Sequence, residues 1–424
     1  MVPRHDAVDE AVDEALAEAH RELFGRLVGW LFRREGDLQA AEDAVASVFA
    51  QAVTAWRQAG VPRSPEAWLR VAARNAAISA ARRRTRDVTV APEEMTDMAV
   101  TDDEIAEPPP TADDVLTLLF VCAHPAIDER LHAPLMLQAV LGVDAARIAA
   151  VFLVPPATMG QRLSRVKTKI RDAGIRYRVP SPGDLPARVG AVLRAIYAAY
   201  GSSDALIDDL GGDRPALRAE ALRLAEVLAA LSPDDPEVRG LLALLLHTES
   251  RRPARFAGST FVPLAEQDTR LWSTELRRRG DAELRRAAAS GALGRFQLEA
   301  AISAVHSARA ETGTTEWSAV VTLYRGLLQV APSIGATIGA AAALVEVGDT
   351  DEAAGMLAGL PSSAIESHQP YWVCLARVEA ARGRAAEADD ATRRAIGLTT
   401  DPRVRAYLLA RAPLTGPGRP APAD

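Results

Sequence analysis

Lysine is almost missing from this 424-residue chain: of 49 cationic side chains only Lys167 and Lys169 are lysines, so positive charge is carried by arginine. Cysteine is nearly as scarce. Cys122 and Cys374 lie far apart in sequence, which excludes both a disulfide framework and a thiolate cluster. No apolar run is long enough to span a bilayer, and the opening MVPRHDAVDEAVDEALAEAH is acidic where a signal peptide would be basic and then apolar. A cytoplasmic protein with no membrane partner is therefore expected. Val, Ile and Thr are not gathered into alternating runs while alanine abounds, which predicts an all-α chain. There is no Gly-rich phosphate loop, metal-binding quartet or nucleophile elbow, and no pair of acids stands out as general acid and base. No cofactor, metal site or catalytic activity is expected. Cys122, His124 and His132 lie near one another but lack a second ligand pair, so they read as core residues. The net charge of -7 excludes a protein that coats nucleic acid over its whole surface, and confines any such contact to local basic segments.

One segment is strongly basic. From Arg147 to Arg178 eight Lys or Arg stand against a single acid, Asp172. Its centre, DAARIAAVFLVPPATMGQRLSRVKTKIR from Asp144, reads as two helices broken at Pro155 and Pro156, a helix-turn-helix. In the second helix Met159, Leu163, Val166 and Ile170 form an inward stripe at helical spacing. Thr158, Gln161, Ser164, Arg165 and Thr168 fall opposite it, flanked by Arg162 and Lys169 on one side and Lys167 and Arg171 on the other. Such a face mixes groups that bond base edges with cations that neutralise phosphates, as a recognition helix in a major groove requires.

Upstream, residues 12–35 form an amphipathic helix stopped by Gly36, and Asp37 opens a second helix, DLQAAEDAVASVFAQAVTAW. Its expected buried side is Leu38, Ala41, Val45, Val48, Phe49 and Val53, with Glu42 and Asp43 outside. Ser64 and Pro65 start a third helix with Trp68, Val71, Ala72 and Ile78 inward, Arg70 and Arg74 outward, and a tail of Arg82, Arg83, Arg84 and Arg86. Val88 to Asp114 then carries nine acids, no Lys or Arg and three consecutive prolines, the composition of a flexible acidic tether.

Past a second Pro/Gly linker the chain is rich in Ala and Leu and holds one internal repeat. GDTDEAAGMLAGL from Gly348 returns as GRAAEADDATRRAI from Gly383, with Gly348/Gly383, Glu352/Glu387 and Ala353/Ala388 each 35 residues apart. Trp372, Leu375, Ala376, Gly383, Ala388, Ala395 and Leu398 stand at tetratricopeptide spacing, which implies stacked helical hairpins. The expected division is 12–87, an acidic linker 88–112, 113–178 with the helix-turn-helix, a linker 179–187, a C-terminal helical domain 188–412 and a disordered tail 413–424.

In this order of parts the chain resembles bacterial extracytoplasmic-function sigma factors over about residues 12–178. The residues that carry the resemblance are the acidic-faced helix with Asp37, Glu42 and Asp43, the helix WLRVAARNAAI, the acidic linker and QRLSRVKTKIR. The runs LLFVCAHPAI, FLVPPATMGQRLSRVKTKIRDAGIRYRVP, LLLHTESRRPAR and FQLEAAISAVHSAR are similar to the subgroup with a long tetratricopeptide-like C-terminal extension. The chain departs from the family at Ala46-Ser47, where a Gln-Glu pair is usual, and at Ser79, where Asp is common. The resemblance implies that Asp37, Glu42, Asp43 and Phe49 dock on core RNA polymerase, and that Arg74, Asn75, Arg82, Arg83 and Arg84 open and read the minus-ten element. It further implies that Thr158, Gln161, Arg162, Arg165, Lys167 and Lys169 bind the minus-thirty-five element in promoter DNA. The acidic linker would pass through the polymerase RNA channel, and the extension would regulate the factor, with a protein partner possible. The rival reading is a tetratricopeptide-like protein-binding scaffold with a vestigial DNA-binding half. A scaffold has no need of two basic helices joined by an acidic tether.

Overall fold

A computed structural model describes residues 4–85, 109–152, 154–175, 177–205, 214–258, 260–399 and 401–411. The expected all-α class holds, with one two-stranded antiparallel hairpin, Phe256–Ala257 paired with Thr260–Phe261, as the exception among the described residues. The elements fall into two compact units, residues 1–205 with 212–231, and residues 206–211 with 232–424. Most of the acidic linker and the tail 413–424 lie outside the described residues. The first unit extends beyond the 179–187 linker.

That first unit begins with α1 (Arg4–Glu35), eight residues longer at its start than its apolar pattern suggests, and Gly36 ends it in the left-handed conformation at φ 69°. Asp37 caps α2 (Leu38–Ala59), its carboxylate accepting the Ala40 N–H at 3.1 Å. Leu38, Ala41, Val45, Val48 and Phe49 are buried as the spacing requires, but Val53 is exposed and Glu42 is buried. In α3 (Pro65–Thr85) the buried stripe is Leu69, Ala72, Ala73 and Ala77. Trp68, Val71 and Ile78 are only half-buried, Trp68 standing edge-on to Trp56 at 5.9 Å. The core took the small residues because they allow the helices to approach closely.

Next come α4 (Ala112–Cys122), α5 (His132–Leu141), α6 (Ala145–Val151) and α7 (Pro156–Asp172). Asp144 caps α6 through the N–H groups of Ala146 and Arg147, and Met159, Leu163, Val166 and Ile170 of α7 are all buried. Two further helices, α8 (Leu185–Ala205) and α9 (Arg214–Leu231), complete the unit. Arg188 of α8 donates to the carbonyls of Phe120 and Ala123 at the end of α4, at 3.0 and 3.2 Å, satisfying acceptors that the helix leaves open.

Two glycines set the crossing of α1 over α4 and α5. A Cβ added at Gly25 would stand 2.6 Å from the Val140 carbonyl oxygen, and one at Gly29 2.7 Å from that of Asp114. Backbone therefore meets backbone.

The second unit runs α10 (Pro236–Ser250), the hairpin, α11 (Thr274–Ala288), α12 (Arg295–Thr312), α13 (Trp317–Val330), α14 (Ile334–Glu346), α15 (Thr350–Ala358), α16 (Ser362–Ile365), α17 (Gln369–Ala381), α18 (Ala385–Leu398) and α19 (Pro402–Arg411). The 35-residue repeat is a pair of helical hairpins, α14–α15 and α17–α18, with the same turn. Gly348 and Gly383 have φ 87° and 76°, and in each turn the next N–H reaches back five residues into the helix: Asp349 to Leu344 and Arg384 to Glu379, both at 2.9 Å. Leu344, Ala353, Leu357, Cys374 and Val378 share one core between the hairpins.

Gly29→Val and Gly25→Val should each destabilise the full chain by about 1 to 3 kcal/mol, the usual cost of overpacking. Urea unfolding measures this. Midpoints equal to wild type would contradict the close crossing.

Candidate functional site

The residues assigned to DNA and those assigned to polymerase meet, because α7 packs across α2 within the first unit. From the second turn onward α7 presents two faces. Gln161, Arg162, Ser164, Arg165, Thr168 and Lys169 are exposed and Thr158 is half-buried, as the sequence pattern predicts for a face that reads a groove. Among the described residues Arg162 and Arg165 make no ion pair, whereas Lys169 donates to the Ala126 carbonyl at 2.6 Å.

Lys167 departs from expectation. Nine residues beyond Thr158, it lies two and a half helical turns along, on the opposite side. Its side chain is 3 % exposed, and its Nζ donates to Oε2 of Glu42, itself 7 % exposed. Neither residue is therefore a surface group here: the one expected to neutralise a phosphate and the one expected to face polymerase neutralise each other. Burial pushes the Glu42 carboxyl up to about 7, against the pull of Lys167 and with a smaller upward push from Asp43. The Cys122 thiol of α4 is raised above its ordinary range by burial first and by Glu42 second.

The other docking residues divide. Asp37 spends one oxygen on the α2 cap and sets the other 3.7 Å from Nη1 of Arg171. Asp43 is exposed and accepts from Gln39 at 2.8 Å. Phe49, 8 % exposed, belongs to the α1–α2 core, with its ring 5.0 Å from His20 and 6.1 Å from Phe24. It has no surface to offer a partner, since an aromatic on an amphipathic helix goes to the side where apolar neighbours gather. In α3, Arg74 and Asn75 are half-buried and Arg82 is exposed; the side chains of Arg83 and Arg84 lie outside the described residues.

A second polar joint, which sequence reasoning missed, ties α1 to α4. Asp114 is 1 % exposed, yet its oxygens accept from Arg33 Nη1 at 2.7 Å, Tyr177 Oη at 2.7 Å and the Thr111 N–H at 2.8 Å. The Tyr177 phenol is pushed well above its ordinary range by burial and by that carboxylate, and its ring stands edge-on to Phe32 at 5.6 Å. Asp114 is the last of the nine acids that begin at Glu93 and falls in the first turn of α4. The signal that could have singled it out is Thr111-x-x-Asp114, the spacing of a capping box.

Elsewhere the candidate ligands have structural partners: His132 Nε2 is 3.1 Å from the Ile127 carbonyl, and His124 Nδ1 accepts the Ala126 N–H at 3.1 Å. Among the described residues no helix is long and apolar enough to cross a membrane.

Because Glu42 has a higher carboxyl pKa in the folded chain than the ordinary 4.5, folding favours its protonated form. Its contribution is full below pH 4.5 and is lost as pH rises through about 7. The stability advantage of wild type over Glu42→Gln should therefore shrink by about 1 to 3 kcal/mol between pH 5 and pH 8 in thermal or urea unfolding. An advantage that grows with pH would show that the pull of Lys167 outweighs burial and holds the carboxyl below its ordinary range.

With this geometry in hand, the chain matches Sigma-70 region 2 over residues 16–87, the segment that holds α1 to α3. Residues 188–288 match a family of unknown function, DUF6596, beginning in α8 and ending in α11. The Uncharacterized protein R00370 of Rhizobium meliloti (strain 1021) is 34 % identical over 386 residues, which cover 90 % of this chain and 91 % of that protein. No solved structure matches the chain.

Proposed function

We propose that the chain, which belongs to one family with R00370 and matches Sigma-70 region 2 at its N-terminus, is an extracytoplasmic-function sigma factor with a regulatory helical extension. In this reading it binds core RNA polymerase through region 2, directs it to a two-part promoter in the cytoplasm and performs no catalysis of its own. Region 2 holds the minus-ten element with α3, and α7 reads the minus-thirty-five element in the major groove. The observation that carries the promoter reading is the exposed row Gln161, Arg162 and Arg165 on α7. Two of these side chains are cations with no ion pair among the described residues, set beside amide and hydroxyl groups on a helix narrow enough for the groove.

The structure alters which residues are put forward. Gln161, Arg162, Arg165 and Lys169, with Thr158 at the edge, remain as the DNA face; Lys167 drops out of it. On α2, Asp43 is an exposed docking residue, while Asp37 and Glu42 can serve only after α7 moves away. The paired hairpins at α14–α15 and α17–α18 support a tetratricopeptide-like extension that takes a protein partner and regulates the factor.

Arg162→Ala with Arg165→Ala should weaken binding of the polymerase holoenzyme to promoter duplex by about 1 to 3 kcal/mol for each base contact removed. Run-off transcription from a genomic fragment pool should lose its specific starts in the same variant while core-polymerase binding is kept. Unchanged promoter affinity would remove α7 as the recognition helix.

A further inference from the structure

We infer that the first unit carries a binding site for a small organic anion, a carboxylate or phosphoryl group on a compact apolar body, and that its occupant couples the end of α7 to the start of α8. A cleft of about 300 Å³, at the lower end of the size of small-molecule sites, opens between the end of α4, the turn that follows α7 and the first turn of α8. All of its lining belongs to the first unit. Phe120, Val121, Ile175 and Pro180 supply an apolar wall, and His124, Arg178 and Arg188 bring donors and positive charge to it.

The donors are set before any ligand arrives. Nη1 of Arg188 is tied to the carbonyls of Phe120 and Ala123, so its guanidinium is fixed beside the cleft. Nδ1 of His124 accepts the Ala126 N–H, so the neutral ring carries its proton on Nε2 and donates there. Arg178 is exposed and makes no ion pair or hydrogen bond among the described residues. Two guanidiniums thus line the cleft against one carboxylate, Asp184, which already accepts from Ser181 Oγ at 2.6 Å. The cations also oppose one another. Burial first, and then Arg188 and Arg178, hold the His124 imidazole below its ordinary value, and burial lowers Arg188, with Arg178 adding to it against the pull of Asp184. An anion relieves this repulsion, and one with an apolar body also covers the Phe120 and Ile175 side of the cleft. A bare inorganic ion does only the first.

The site itself needs only this geometry and stands apart from the sigma-factor reading; its regulatory consequence rests on that reading. The cleft adjoins the C-terminal end of the helix proposed to read the minus-thirty-five element and the start of the segment matched to DUF6596, so an occupant contacts both.

Isothermal titration of the full chain with benzoate and with phenyl phosphate tests the site. At least one should bind once per chain with a Kd of about 1 mM or tighter, within reach of a ligand of about ten non-hydrogen atoms, and the tighter of the two identifies the preferred head group. Benzamide, which lacks the charge, and inorganic phosphate, which lacks the apolar body, should each bind roughly tenfold more weakly or worse. Arg178→Glu should weaken binding by roughly tenfold to a hundredfold, the worth of a hydrogen bond to a charged group, and because Arg178 is exposed its loss does not threaten the fold. Arg393→Glu, the same change of charge on an exposed part of α18, should bind as wild type does. Binding by neither anion overturns the site, and binding that survives Arg178→Glu or is matched by benzamide overturns its anionic specificity. In run-off transcription the tighter ligand should change specific starts by about fivefold or more with wild type and not with Arg178→Glu. Starts that ignore a bound ligand overturn the coupling, whereas an absence of specific starts with or without ligand counts against the sigma-factor reading and leaves the titration to decide the site.

Discussion

The arrangement of the N-terminal unit depends on one buried ion pair, Glu42 with Lys167. Out of water the Lys167 ammonium needs an acceptor, which Glu42 Oε2 supplies, while burial outweighs its pull on the carboxyl. That requirement fixes the register of α7 on α2. A shift of α7 by one residue would carry Lys167 about 100° around the helix and leave Glu42 facing apolar side chains. A hydrophobic contact of the same area would permit such slippage. The pair also explains why one of only two lysines in the chain lies inside: a flexible four-carbon stem ending in a compact charge reaches a single carboxylate where a planar guanidinium would need a wider opening.

Around this pair the unit resolves a conflict between two demands on the same residues. Region 2 needs an acidic helix face that a partner can reach, and a helix-turn-helix needs a buried apolar stripe and an exposed basic one. Packing the back of α7 on α2 buries Glu42 and leaves Asp43 in solvent, with Arg162 and Arg165 still outward. The second unit, with its paired hairpins and shared apolar core, is built on repetition instead of polar specificity.

Much of this was legible in the sequence, for identifiable reasons. Caps at Asp37 and Asp144, the stop at Gly36 and the 35-residue repeat are short-range signals, and each appears in the structure at the predicted residue. The exposed face of α7 was legible because its inward stripe is unambiguous. What could not be read was pairing across long sequence separations. Glu42 and Lys167 are 125 residues apart, Arg33 and Asp114 81, and a charged side chain on an amphipathic helix looks solvent-facing until its partner is known. Phe49 shows the converse: its helical position reads as buried and is buried, while the docking role comes from the resemblance alone. In α3 the choice between Trp68 and Leu69 as the inward residue turns on a helix rotation that small alanines on both sides leave undetermined by pattern.

If the chain is a sigma factor, core RNA polymerase covers the acidic side of α2, where Asp43 is exposed. Hydrogen exchange of the full chain, with and without core RNA polymerase, addresses it most directly. Amides of α2 are expected to gain protection on adding polymerase. Protection in α2 that is the same with and without polymerase would contradict the sigma-factor reading.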